Sequence, residues 1–319
     1  MTETLYADVT DSSNIISVQI ADSHSSQVSN AVLTCESTGL DVGDSISVDL
    51  GYVSSHDTLF TGYVKSVERK EPTRLYTISA SNVLVRAMDY FIVSADQDNP
   101  FSRSNIKAEH LVRDVLELAG ITNFTYDATL FTFAIHNPLE VNITSAYDYS
   151  KFVASLLAWH LYGDKDGLVH FVDRKPYVMP GDSSIGTLDN SNIVDISYSL
   201  SEKDLRNRIV VYGAGDISAE AKASSPYLPA GFYKSVLVAA PDIIDTQWMA
   251  DLSASYNLTA FNRPTKRVTC SVIGSSSYEA RQVYTIDKAD IGATGDWYVY
   301  GITHDWNRAG YMTSMELRS

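Results

Sequence analysis

A nucleophilic serine of the α/β-hydrolase kind needs a G-x-S-x-G elbow to lift its hydroxyl clear of the backbone. The nearest stretch, Gly181-Asp-Ser-Ser-Ile-Gly186, has the wrong spacing and sits in a Pro/Gly/Ser-rich run, so it reads as a loop. Zinc chemistry wants paired histidines at helical spacing. There is no H-E-x-x-H, and none of the seven histidines lies three to five residues from another. Asp164-Lys-Asp166-Gly167 starts like a calcium loop but lacks the next ligand and the closing glutamate, which leaves a β-turn. Gly213-Ala-Gly215 follows a strand without the third glycine and acidic partner of a dinucleotide site. Among 39 acidic residues only Asp296 and Asp305 precede tryptophans, and both read as strand ends. Cys35 and Cys270 share no metal or redox spacing, and Cys270 alternates with Val268 and Val272 as a core thiol does. The residues point to no catalytic centre, metal site or cofactor; the expectation is a chain that is not an enzyme.

A net charge of −15 argues against a nucleic-acid reader, because affinity for phosphate backbones comes from clustered Lys and Arg. It is compatible with a surface along which DNA slides without adhering. No apolar run is long enough to span a membrane, and the N-terminus lacks the basic and apolar regions of a secretory signal; the chain is expected to stay soluble, with no membrane insertion.

The 319 residues, 45% hydrophobic, are enough for two or three domains with real cores. Period-two runs at Ile46–Leu50, Leu59–Val67 and Leu75–Ala80 predict an antiparallel N-terminal β unit. Helical period follows from Ser104, with Ile106, Leu111, Val112, Val115 and Leu116 on one face and Gly120 in the C′ position. A second helix is expected from Ser145, with Tyr149, Phe152, Val153, Leu156, Leu157 and His160 on its buried side, then a hairpin turning at Asp166-Gly167. Residues 174–190 read as a linker. Strands are expected at Ile193–Leu200, Arg208–Tyr212 and Phe232–Val238, around a long loop at Gly213–Gly231. A helix from about Asp245, with Trp248, Met249, Leu252 and Tyr256 on one face, must stop before Pro264. Val268–Ile273, Gln282–Asp287 and a hairpin from Trp297 to Leu317 close the chain.

A weak internal repeat links the two ends. Gly62-Tyr-Val-Lys-Ser-Val-Glu, a polar turn and Tyr76-Thr-Ile-Ser correspond to Gly301-Ile-Thr-His-Asp-Trp-Asn, a turn and Tyr311-Met-Thr-Ser.

Taken in order and spacing, Leu59-Phe-Thr-Gly-Tyr-Val-Lys-Ser-Val-Glu, the Leu111-Val-Arg-Asp-Val-Leu-Glu-Leu-Ala-Gly-Ile helix, the Trp159-His-Leu-Tyr-Gly-Asp-Lys-Asp-Gly unit and Asn207-Arg-Ile-Val-Val-Tyr-Gly resemble the tail hub proteins of long-tailed bacteriophages, including the late control protein D group, and the hubs of contractile injection machines. The resemblance implies a mainly β fold with an α+β insert: a tube-type β-barrel at 1–95, a helix-containing insert and linker at 96–190 forming a peripheral α/β region, and a second tube-type barrel with one helix at 191–319. It implies a homotrimer whose six barrels match a sixfold tail-tube ring on one side and a threefold spike or fibre on the other. The implied neighbours are a distal tail or tail-tube protein and a tape measure protein. The genome passes through the lumen without specific binding, and the place is the virion tail tip, assembled in the host cytoplasm. Any wall-cutting or piercing element is expected on another chain. The ring interface is expected at the barrel strands carrying Leu59, Tyr63, Val64, Trp297, Tyr300 and Ile302. A carbohydrate- or receptor-binding tail module is the alternative, with Trp248, Trp297 and Trp306 stacking on sugars.

Overall fold

The computed structural model describes residues 3–26, 28–93, 101–136 and 138–319; the boundary expected at 95/96 lies outside them. The chain opens with β1 (Leu5–Val9), β2 (Ser12–Ser23), β3 (Asn30–Thr38), β4 (Ser45–Tyr52), β5 (Ser55–Lys70) and β6 (Leu75–Ser81). These pair antiparallel in the order β2-β3-β6-β5-β4-β1, and Val9 opposite Ser12 closes the ring. Alternation sends Leu33, Cys35, Ile46, Val48, Leu50, Phe60 and Ile78 inward as a fully buried core.

The chain then builds α1 (Val85–Asp89), α2 (Ala108–Leu118), β7 (Phe124–Tyr126), α3 (Ala146–Leu156), β8 (His160–Gly163) and β9 (Val169–Val172), with three pairs of two-residue strands between them. α2 starts at Ala108, later than Ser104, because Ile106-Lys107 is drawn into a pair with Thr132-Phe133. It ends as read: Gly120, at φ 74°, donates to Glu117 O and Ile121 to Leu116 O. α3 is capped by Ser145, whose Oγ accepts from Asp148 N at 2.9 Å. It stops at Leu156, so His160 is not on a helix but on β8.

β10 (Thr187–Leu188) and β11 (Ile193–Ser201) come next. β12 (Arg208–Tyr212), β13 (Ser218–Lys222), β14 (Ser235–Ala239) and α4 (Gln247–Phe261) follow. The last strands are β15 (Thr265–Ile273), β16 (Val283–Lys288), β17 (Ala293–Asn307) and β18 (Gly310–Arg318). The expected loop at 213–231 thus contains a strand, β13. Moreover β12, β13, β14 and α4 form a separate sheet and helix that share one apolar core with α2 and α3. The segment 208–261, expected inside the second barrel, is therefore an insertion into it. The buried face of α4 is Met249, Ala250, Ser253, Ala254 and Asn257; Trp248 points outward, 52% exposed.

The remaining late strands order as β11-β15-β18-β17-β16-β10, the same sequence of neighbours as β2-β3-β6-β5-β4-β1. The registers also agree. Ser17, Thr34, Thr77 and Glu68 lie in one row of the first unit, and Asp195, Ser271, Ser314 and Thr303 in the matching row of the second. The row beside each is apolar: Val18, Leu33, Ile78 and Val67, then Ile196, Cys270, Met315 and Ile302. Bulges fall at Ile15/Ser17 and Val64/Ser66, and again at Ile193/Asp195 and Val299/Gly301. The chain is thus an in-register duplication. The alignment read from sequence is out of step with it, since the bulges place Gly62 opposite Trp297 rather than Gly301. One strand departs: β10 runs parallel to β16, whereas β1 is antiparallel to β4.

Candidate assembly interface

The two barrels are joined through backbone. Ser17–Ser23 of β2 pairs with Asn307–Gly301 of β17, so one 12-stranded sheet runs through both units. β17 is long enough for this because its first half pairs with β16 and its second half extends beyond β16 to meet β2. The duplication makes the counterparts identifiable. β5 is long in the same way: β4 covers it as far as Tyr63, and from Ser66 to Lys70 only β6 is paired to it. β11, the equivalent of β2, pairs with β15 alone. Its Val194 and Leu200 are 63% and 52% exposed. Among the described residues the subunit therefore holds one complete barrel-to-barrel seam and the two unpaired halves of another.

Of the residues expected at a subunit contact, Leu59, Val64, Trp297 and Ile302 are buried in the subunit's own core. A side chain already enclosed has no surface left for a neighbour. Tyr63 and Tyr300 are half-exposed, each under a guanidinium: Arg86 at 3.9 Å and Arg318 at 3.3 Å from the ring centroids. The expectation chose large apolar residues, and here four of these build the barrels. The unpaired edges, Ser66–Lys70 and β11, could have been found from the repeat once its register was known.

Where the seam ends, a polar cluster fastens both barrels to the peripheral layer. The Arg281 guanidinium, its side chain 9% exposed, donates from Nη1 and Nη2 to Asp22 of β2 at 2.7 and 2.9 Å. Its Nε donates to His160 Nε2 at 3.1 Å, and its central carbon lies 3.9 Å from the Tyr162 ring centroid. His160 stacks on His24 at 3.8 Å, and His24 Nδ1 is 2.9 Å from Tyr298 Oη. Because Arg281 can only donate, His160 Nε2 must be a bare acceptor and the ring neutral. Burial, then the neighbouring His24 and Arg281, push His160 well below the ordinary histidine range. His304, on β17, is fixed just as tightly. Nε2–H donates to Tyr278 O at 3.1 Å and Nδ1 accepts from Tyr311 Oη at 2.7 Å, while burial lowers its pKa to about 4.

The chemical candidates resolve into structure. Asp164 Oδ1 accepts from Asp166 N and Leu168 N, with Gly167 at φ 80°, as a β-turn requires. Asp182 binds Arg174 at 2.8 Å, and Ser184 Oγ donates to Gly186 O at 2.7 Å, inside a loop. Gly213 packs so closely on Ile244 O that a Cβ would sit 2.5 Å from it, and the chain then enters β13 rather than a helix. Asp296 accepts from Thr285 Oγ1 and Asp305 from Gln19 Nε2, each at 2.7 Å across strands. Both cysteines are buried, and burial pushes the Cys270 thiol up to about 12. No group of three or more metal-ligating side chains exists among the described residues, and no helix there is long and apolar enough to cross a membrane.

Comparison with protein-family models and with curated proteins gives no match. Solved structures match along the whole chain. A tail protein from Neisseria meningitidis MC58 superposes with TM-score 0.70 at 11% identity, covering 100% of this chain and 97% of that one. The 43 kDa tail protein of prophage MuSo2 from Shewanella oneidensis gives 0.70 at 12% identity, covering 99% and 98%. An E. coli type VI secretion component, described as structurally similar to the T4 bacteriophage tail proteins gp27 and gp5, gives 0.62 at 8% identity, covering 98% and 76%. The chain has the tail-hub fold. In this chain the barrels are the repeated module, and the α/β layer is added between them and by the insertion at 208–261.

Proposed function

We propose that this chain is the structural hub subunit of a phage-type tail tip or related injection machine, and that three copies close into a ring. The observation that carries this reading is the incomplete second seam. If β11 pairs with the next copy's β5 as β2 pairs with β17, the contact is head-to-tail, each subunit supplies both halves, and a closing rotation gives six similar barrels from three chains. The equivalence fixes the register: Ser201 opposite Ser66, Leu200 opposite Val67, Ser199 opposite Glu68, Tyr198 opposite Arg69. Such a ring meets a sixfold tail-tube ring with six modules and a spike or fibre with threefold symmetry, and it carries the genome through an acidic lumen without specific binding. Its place is the virion, among tube, tape measure and spike proteins, after assembly in the host cytoplasm, and its work is mechanical rather than catalytic. The sugar-binding alternative keeps only Trp248, 52% exposed, since Trp297 and Trp306 are 2% and 6% exposed.

The test is a pair of engineered thiols, Ser66→Cys with Ser201→Cys, joined by a short cross-linker; both native cysteines are buried and do not compete. The expected product is a covalent trimer with no higher rungs, and a mass in solution three times the 35.1 kDa subunit. Either single variant should give no ladder. Absence of cross-linking at this register, or a ladder that continues past trimer, would overturn the ring.

A further inference from the structure

Below the end of the second barrel lies a cleft of about 650 Å³, between β18, the end of α3 and the peripheral sheet. Its floor is apolar, with Val236, Val238 and Phe261. Arg174, Arg206, Arg263 and Arg318 line it against one acidic side chain, Asp204, an unusual balance in a chain of net charge −15. Arg174 and Arg318 are ion-paired, to Asp182 and Glu316. The Arg263 guanidinium carbon lies 3.8 Å from the Tyr177 ring centroid, and among the described residues Arg206 donates Nη1 to the carbonyls of Lys203 and Leu205. A guanidinium held over a ring, or by one nitrogen, keeps its other donors available to a carboxylate.

The subunit carries a surface of opposite character elsewhere. Met88, Tyr90, Phe91 and Val93, at the end of α1 and beyond, are 42%, 39%, 60% and 60% exposed, and Asp89 among them pairs with Lys65 at 2.6 Å on the surface. The seam register brings the two together. Lys65 adjoins Ser66, which the proposed ring sets opposite Ser201, and Asp204 and Arg206 lie three and five residues after Ser201 in the chain. Both lie at the same end of their barrels, since Ser81 at the end of β6 corresponds to Arg318 at the end of β18.

We infer that the cleft is a receptor site for a second copy: in the ring, the Met88–Val93 segment of one subunit closes the cleft of the next. Asp89 engages Arg206 and Arg263, Lys65 faces Asp204, and Phe91 and Tyr90 cover the apolar floor. This rests on the ring reading and adds a specific side-chain contact to it, so that assembly is selected by charge as well as by strand pairing.

The experiment measures trimer dissociation by light scattering on dilution, for the full chain with Asp89→Lys, Phe91→Asp and Arg206→Gln. All three positions are exposed or half-exposed, and circular dichroism checks that each variant is folded. Expected is a roughly tenfold or greater weakening for each charge or apolar change, and partial recovery when Asp89→Lys is combined with Arg206→Glu, as coupled neighbours require. If the 66/201 cross-link forms normally while Asp89→Lys and Phe91→Asp leave dissociation unchanged, the cleft assignment is wrong and the ring survives. If the cross-link itself fails, the ring reading falls and takes this contact with it.

Discussion

Two buried histidines make stability depend on pH in a window where carboxylates are silent. His304, 3% exposed, is held neutral by Tyr278 O on one nitrogen and Tyr311 Oη on the other, with a folded pKa of about 4 against 6.5 in the unfolded chain. His160, 1% exposed, is displaced in the same direction, facing His24, Arg281, Arg174 and His170 from the surrounding elements. Below pH 6.5 the unfolded chain takes up protons that the folded chain refuses, so stability is complete above that pH and falls as acid is added. At about 1.4 kcal/mol per pH unit, His304 alone removes on the order of 3 kcal/mol between pH 6.5 and about 4. His160 adds to the slope. His24 is also lowered, to about 3, by burial and then by Arg281, and acts in the same direction. The carboxylates held low by partners, Asp57, Asp114 and Asp164, are displaced in the same direction, but from a lower starting value, so they cost stability only below about pH 3.8. The measurement is the urea midpoint, followed by tryptophan fluorescence, at pH 7.5, 6.5, 5.5 and 4.5, for the wild type, His304→Gln and His160→Gln. The wild type should lose stability steeply below pH 6.5, and each variant should be weaker at pH 7.5 but flatter. A wild-type midpoint constant from 7.5 to 4.5, or variants with an unchanged slope, would refute the assignment of neutral, locked histidines.

Asp22→Asn strands the Arg281 guanidinium in the junction and should cost about 3–5 kcal/mol in the same urea assay, whereas Asp22→Asn with Arg281→Met should cost clearly less than the two single losses together. Gly274→Ala would set a Cβ 2.3 Å from the Tyr311 ring, and with it disturb the His304 bond; a loss of about 1–3 kcal/mol is expected, against almost none for Gly310→Ala, where the space is open.

The parts of the fold that could be read from sequence are those in which a periodic apolar pattern decided the conformation. The strands at Ile46–Leu50 and Val268–Ile273 and the Gly120 terminus of α2 belong to this class. β13 escaped because Ser-Ala-Glu-Ala-Lys has little strand preference and is ordered by pairing with β12. On α4, Met249 is buried and Leu252 and Tyr256 pack on the core as expected, but Trp248 is exposed and the centre of the buried face is made of small and polar residues. Ser253 Oγ and Asn257 Nδ2 both donate to Leu156 O, at 2.7 and 3.2 Å, and so replace an apolar stripe by close approach. His160 was placed on α3 because Leu157, Ala158 and Trp159 continue the apolar run, yet Ala158 sits at φ 50° and ends the helix. The unpaired strand edges are legible only through the register of the repeat. An edge is defined by backbone left unpaired, and no residue type encodes that.

The two seams of the proposed ring face different demands, and their sequences differ accordingly. The seam within the chain forms during folding, at the high effective concentration of a tether, so it can end in a buried ion pair that needs exact placement: Asp22 on Arg281. The seam between chains must wait, unpaired, on a folded monomer. Unpaired strands invite indiscriminate pairing unless charge interrupts them. The edge of β5 is Ser66-Val-Glu-Arg-Lys70 and runs into Glu71, while β11 carries Asp195 and is followed by Glu202-Lys203-Asp204. At the position matching Asp22, β11 has the exposed Leu200, which tolerates both water and a neighbour. On the proposed ring, the sequence difference between the two seams has this reason: one copy of the contact is built for permanence and the other for waiting.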